Sequence, residues 1–182
     1  EQLASGDRYE LSDGHAIYMA PAGGDHQSAT SVGSQVLVSD PAVVSSGIDA
    51  GIKTGERTLR APYIAVGGVH DKRGWIVGSP SLAVEYASVG QDEEDLQVKI
   101  AELLAAGTRY VWVVRLIGPR RVEVYEPGVA VRVASAGDML TAPGVLQNAV
   151  PVEALYDRNV AQEVTLRNLL QRLGYDDLDA VR

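Results

Sequence analysis

SLAVEYASVGQDEEDLQVKIAELLAAGTRYVWVV, residues 81–114, is the stretch that decides the fold. Leu82–Tyr86 is a short apolar run that reads as a buried strand and carries one carboxylate, Glu85. An acidic loop follows. Asp92–Ala106 then repeats Leu96, Ile100, Leu103 and Leu104 at helical spacing. Acids in its first turn suit the helix dipole, and Gly107 closes it. A second apolar strand, Val111–Ile117, comes next. Strand, helix, strand is the signature of an α/β domain.

The same stretch holds the first chemical candidates. The helix start returns toward the strand end, so Glu85 and Lys99 are expected in one cleft although fourteen residues separate them. A carboxylate supplies the hard oxygens that a divalent cation needs. A nearby ammonium can orient water and offset charge developing on a phosphate. Asp95 precedes Lys99 by four residues, and an ion pair along the helix is the default expectation.

Working outward, Tyr9–Met19 reads as a hairpin around Asp13-Gly14. Asp25 is the expected N-cap of a helix ending near Asp40. Residues 43–53 and 58–66 read as two strands joined by the loop Gly55–Arg57. That register pairs Thr54 with Thr58 and therefore Asp49 with Tyr63. In this reading Ile48, Ala50 and Ile52 share one face, with Asp49 and Tyr63 on the polar face. Residues 67–78 form a glycine-rich, charged excursion. A hairpin turns at Gly118-Pro119, a strand follows over Val129–Val133, and 137–152 is an irregular closing segment. Residues 159–173 read as a helix with Val160, Val164, Leu166, Leu169, Leu170 and Leu173 as its apolar stripe.

Composition narrows the classes. A chain of 182 residues suits one domain with a substantial core, and Glu1 in place of a methionine points to a start upstream. The chain has no cysteine, which excludes thiolate metal sites and disulfides and is the pattern of a cytoplasmic protein. Sixteen basic residues face 24 acidic ones, a net charge of −8. That balance argues against broad non-specific nucleic-acid binding but leaves room for a local cleft drawn from Arg57, Arg60, Lys72, Arg73, Arg115, Arg120 and Arg121. Phosphate-loop, dinucleotide, serine-hydrolase and zinc-protease motifs are absent.

One set of residues, in order and spacing, resembles a known family: Arg8-Tyr9-Glu10-Leu11 with Asp13-Gly14, Met19, Pro21, His26, Arg60, Pro62, Val84-Glu85 with Ser88, Asp95 with Lys99, Gly107, and Tyr110-Val111-Trp112. Over roughly residues 7–155 the chain resembles the Uma-type putative restriction endonucleases, a branch of the PD-(D/E)XK nuclease-like superfamily. The resemblance implies a mixed, curved central sheet flanked by helices over 1–158, with a C-terminal helical extension over 159–182. It also implies a magnesium- or manganese-dependent phosphodiester hydrolase with Glu85 as metal ligand and Lys99 as catalytic cation, and, together with the 159–173 stripe, a homodimer.

The chain departs from that pattern at one position. The family's Pro-Asp pair, source of its first metal-binding aspartate, reads Pro62-Tyr63 here. A phenol with a pKa of about 10 is no hard-oxygen ligand at neutral pH. Asp49, opposite Tyr63, is the candidate substitute ligand. Glu10, His26, Tyr63 and Asp95 are the expected pocket residues. Glu10 is either a pocket residue or a solvated strand glutamate. His26 lines the site or binds phosphate as a cation near a helix N-terminus, or else bonds locally to Asp25 or to solvent. Two functions remain open: a metal-dependent endonuclease, and a family member that binds or assembles without cleaving.

Overall fold

The computed structural model describes residues 9–19, 21, 23–90 and 92–175; Arg8 lies outside them. The chain opens with a hairpin, β1 (Tyr9–Ser12) and β2 (His15–Tyr18). Asp13 and Gly14 take φ of 44° and 82°, the left-handed pair that a type I′ turn requires. Helix α1 spans Gly24–Ser39 with Gly23 as its N-cap. Asp25 therefore lies inside the first turn, where its charge suits the dipole, and does not cap the helix as the sequence suggests.

The two strands expected over 43–53 and 58–66 are each broken in two: β3 (Ser46–Ile48) and β4 (Ile52–Lys53), then β5 (Leu59–Arg60) and β6 (Ile64–Val66). The register is the expected one, with Thr54 N–H donating to Thr58 O at 3.1 Å and Asp49 N–H to Tyr63 O at 3.3 Å. The breaks have local causes. Asp49 sits in the left-handed region at φ 49°, uncommon for a non-glycine residue, and Pro62 opposite has no N–H to donate. The ribbon bends there and passes from one sheet to another. The bend undoes the simple face assignment: Ile52 is buried while Ile48 is exposed.

A strand that the sequence does not announce, β7 (Ile76–Val77), pairs parallel with β4 inside the glycine-rich excursion. The deciding stretch then follows as read: β8 (Leu82–Ala87), α2 (Glu93–Ala105) and β9 (Tyr110–Arg115). Strands β10 (Arg121–Tyr125) and β11 (Arg132–Ser135) extend the meander. The last of these starts three residues later than expected, because Val129 N–H closes a turn onto Glu126 O. Two short strands, β12 (Met139–Leu140) and β13 (Val150–Pro151), pair with each other. A 3-10 turn (Val152–Leu155) and α3 (Arg158–Arg172) complete the fold.

The principal sheet has the order β11-β10-β9-β8-β6-β3, and the second β2-β1-β5-β4-β7. Only β8 and β9 run parallel in the principal sheet, as a crossover through α2 demands. Alternation along β8 separates two cores. Leu82, Val84 and Tyr86 join the larger one with Trp112, Val114 and the residues of α1, the 3-10 turn and α3. Ala83 and Ala87 join Leu96, Ile100 and Leu103 of α2. Glu85, between those alanines, points to the α2 side.

Tyr86 ties β8 to its surroundings. Its hydroxyl donates to Leu155 O at 2.9 Å and fits over Gly33, where a Cβ would lie 2.0 Å from Tyr86 Oη. Helix α3 packs on α1 with only part of the expected stripe, Val160 and Val164 meeting the larger core. Ala161, Val164 and Asn168 are buried, whereas Leu166, Leu169 and Leu173 are exposed. Asn168 donates to Ser39 Oγ at 3.0 Å and Arg172 Nε to Ser39 O at 2.9 Å, which satisfies the open C-terminal end of α1. Among the described residues no helix is long and apolar enough to cross a membrane.

Candidate active site

A buried carboxylate on a central strand is costly unless it is paired. Glu85 is 2% exposed and Lys99 6%. Lys99 stands in the apolar stripe of α2, among Leu96, Ile100 and Leu103, so the helix directs it inward. Its Nζ lies 2.9 Å from Glu85 Oε1, off the line of a proper hydrogen bond to that oxygen. Hydrogen bonds run instead to Glu10 Oε1 at 2.8 Å and Ala61 O at 2.9 Å. The two expected partners thus meet as anticipated. The helical pair of Asp95 with Lys99 does not form: Asp95 is exposed at the mouth of the same pocket, its N–H capped by Asp92 Oδ1 at 3.0 Å.

Glu10 resolves in favour of the pocket, at 2% exposure. Beyond Lys99 it accepts from Ala61 N–H at 2.9 Å and from Arg60 Nη1 at 2.9 Å. Arg60, itself 1% exposed, also donates through Nε to Glu102 Oε2 at 2.5 Å. Glu102 in turn accepts from Ser12 Oγ at 2.6 Å. Arg60 is therefore the centre of a buried network and not part of a basic cleft. The other arginines scatter as well: Arg57 beside Asp13, Arg115 between Glu93 and Glu123, Arg120 over the Tyr156 ring. Glu102 and Ser12 are missed by sequence reasoning. The signal for Glu102 was its place three residues after Lys99, on the same face of α2.

The charges do not balance. Glu10, Glu85 and Glu102 face Lys99 and Arg60, which leaves one negative charge in excess. Burial works against the Glu10 anion, but Lys99, the Ala61 N–H and Arg60 outweigh it and hold its carboxyl below the ordinary range. Glu85 lacks that support. Burial pushes its carboxyl up to about 7, with Lys99 opposing and Glu10 and Asp49 reinforcing the shift. Burial alone would lower Lys99, yet Glu10 and Glu85 keep its ammonium above the usual lysine value.

Tyr63 stands one register step beyond the pair Ile64↔Val84 of β6 and β8, opposite Glu85. Its ring is half-buried, 4.2 Å from the His26 ring centroid and 5.7 Å from Lys99 Nζ. His26 is buried and its Nε2–H donates to Tyr86 O at 2.9 Å. Burial lowers its pKa, so it is a neutral wall of the pocket, neither a phosphate-binding cation nor a partner of Asp25. Glu10, His26, Arg60, Tyr63, Glu85, Asp95 and Lys99 line one open cavity of about 250 Å³. Asp49 is exposed and is not part of that lining. The atoms packed round it push its carboxyl up, while Lys99 and His26 oppose the shift.

These donors do not fit a magnesium ion as they stand. Glu85 Oε1 is taken by an ammonium, the residue opposite is a phenol, and His26 Nε2 is engaged with a carbonyl. Among the described residues no three histidine, aspartate or glutamate side chains are grouped to hold an ion.

A mixed α/β sheet with a glutamate on its central strand and a lysine on the next helix is the arrangement that the resemblance to nuclease-like proteins implies. The family model described as "Uma2: Putative restriction endonuclease" matches residues 1–153, and the chain belongs to that family. The fold is shared with a crystal structure described as a putative nuclease belonging to DUF820 from Anabaena variabilis ATCC 29413. That match has a TM-score of 0.70 at 17% identity, covering 84% of this chain and 90% of that one. None of the curated proteins compared with the chain matches it.

Proposed function

We propose that this chain is an endonuclease-like protein of the PD-(D/E)XK type whose phosphodiester site is impaired in magnesium or manganese binding. The observation that carries the reading is the Glu85–Lys99 pair, at 2.9 Å in an open cavity, with Tyr63 where a second carboxylate belongs. The contact between Glu85 and Lys99 supports reading them as ligand and catalytic cation. The missing carboxylate removes charge and a ligand, and magnesium sheds its waters reluctantly. The acidic surface further weakens contact with a phosphate backbone. A family member that binds or assembles without cleaving is the second reading, favoured by Tyr63.

The test is cleavage of plasmid and oligonucleotide substrates in magnesium and in manganese, with Lys99→Ala as control. Turnover no faster than that of Lys99→Ala is expected. Turnover at least a hundredfold above the control in the wild type would overturn the impairment and leave the nuclease reading intact.

A homodimer built on α3 belongs to the same proposal, supported by exposed Leu166, Leu169 and Leu173. Light scattering should report a dimer for the full chain and a monomer for a chain ending at Arg158. A trimmed chain that stays dimeric would exclude α3 from the interface.

A further inference from the structure

Arg115 ends β9 and Arg121 opens β10, and the register sets the two directly opposite each other. Like charges so opposed are destabilising unless anions offset them. Two glutamates do so, in different ways. Glu123, on β10 itself, accepts from Arg115 Nη2 at 2.8 Å and from Tyr125 Oη at 3.1 Å, and lies 3.3 Å from Arg121 Nη2. Its side chain is 12% exposed. Glu93 comes from another element, the first turn of α2, and is 56% exposed. Its two oxygens accept from Arg115 Nη1 at 2.6 Å and Nη2 at 2.7 Å, the two-pronged contact with which a guanidinium also holds phosphate. We infer that Arg115 and Arg121 form a seat for a phosphate oxyanion, and that the Glu93 carboxylate is its exchangeable stand-in.

The position suits a ligand. The two arginines line a cavity of about 310 Å³ together with Ala87, Ser88, Glu93 and Ile117. It lies at the C-terminal ends of the parallel strands β8 and β9, beside the start of the helix that connects them. Open α/β sheets bind ligands at that edge. A strap tying α2 to β9 would need one arginine and one carboxylate, but neither a second arginine nor a hollow. Ser88 borders both this cavity and that of Glu85 and Lys99. The seat rests on the proposed function only for a nucleic-acid strand as one source of the phosphate; a free phosphate is the other.

The two glutamates divide the work. Glu123 fixes the guanidinium from the inner side. Arg115 Nε is buried and donates to neither glutamate, so the guanidinium keeps donor capacity that they do not use. Glu93 faces water, where an ion pair contributes little. A singly charged phosphodiester in its place leaves the local charge unchanged. Gln97, which donates to Glu93 at 3.0 Å, also reaches Tyr125 Oη at 3.3 Å and keeps a partner. The Arg115 hydrogen bonds hold the Glu93 carboxyl down to about 2, so exchange answers to phosphate and salt and not to ordinary changes of pH.

The experiment uses the full-length protein in EDTA. A fluorescein-labelled single-stranded oligonucleotide is followed by anisotropy and inorganic phosphate by calorimetry. The wild type should bind at least one of these probes saturably. Arg121→Gln, and Arg115→Lys, which keeps the charge but loses the fork, should each weaken that binding about tenfold, the loss of charge-assisted hydrogen bonds. Glu93→Gln should tighten it about threefold or more. Glu94→Gln removes the same charge one residue along and should change it less than about twofold, because a charge at a distance is screened. Oligonucleotide binding without phosphate binding supports a strand as the source; phosphate binding alone supports a free phosphate. A wild type that binds neither probe overturns the inference. So does binding that Arg121→Gln leaves intact, or a gain in Glu93→Gln no larger than in Glu94→Gln. Arg121 is partly exposed, so its variant decides the matter should Arg115→Lys fail to fold. None of these outcomes touches the impaired-site reading, which the cleavage assay in magnesium and manganese decides.

Discussion

Arg60→Ala is expected to lower the free energy of unfolding by about 3–5 kcal/mol, the usual cost of stranding the partners of a buried ion pair. Arg60 is 1% exposed and binds Glu10 through Nη1 and Glu102 through Nε. Its loss leaves Glu10 to Lys99 and one N–H, leaves Glu102 to Ser12, and raises the network's excess negative charge from one to two. Burial already opposes the Glu10 anion, so the remaining charge has no water to turn to. Glu102→Gln removes a carboxylate together with its charge and should cost less than Arg60→Ala. Urea unfolding of the three proteins measures the difference. At roughly 2–4 °C per kcal/mol for a chain of this size, Tm should fall by about 6–20 °C. A loss under 1 kcal/mol in Arg60→Ala would mean that the site floods with water and the carboxylates are not held by the network.

That network shows where the sequence stops being legible. The Asp13-Gly14 hairpin, the β8–α2–β9 unit and the register of Asp49 on Tyr63 follow from local chemistry and period, and the fold bears them out. Even Lys99 was readable in part, because a lysine three residues after Leu96 and four before Leu103 must turn inward. What it meets was not readable. Glu10 lies 89 residues away and Arg60 39, and pairing at such separations is fixed by how the bent ribbon of β3–β6 lays the β1 hairpin over α2. The bend was hidden because alternation assumes extended backbone throughout, and Asp49 in the left-handed region breaks that assumption. The stripe on α3 held at Val160 and Val164 but misled at its leucines, for a related reason. Its leucines are apolar, but the face that packs is chosen by polar caps, with Asn168 and Arg172 closing the end of α1.

Tyr63→Asp is expected to give the chain manganese binding at least tenfold tighter than the wild type shows, about 1.4 kcal/mol or more. The geometry comes from the sheet. Directly opposed residues of antiparallel strands place their Cβ atoms about 5 Å apart on one face, and residue 63 stands opposite Glu85 in the register of β6 on β8. The Lys99 contact uses Glu85 Oε1, so Oε2 can share an ion with the new carboxylate. Folding should tolerate the change. The Tyr63 ring is half-buried and borders the open cavity, so a carboxylate there reaches water; the main loss is ring packing against His26, at 4.2 Å. Tyr63→Asn makes the same cavity without the charge and isolates the carboxylate's part. Calorimetry with manganese chloride on the wild type and both variants decides the matter. Binding in Tyr63→Asp alone, accompanied by new phosphodiester cleavage, would show a site one residue short of activity. A folded Tyr63→Asp that binds no better than Tyr63→Asn would mean that the ammonium of Lys99 governs the site, and that restoring the lost carboxylate does not restore the ion.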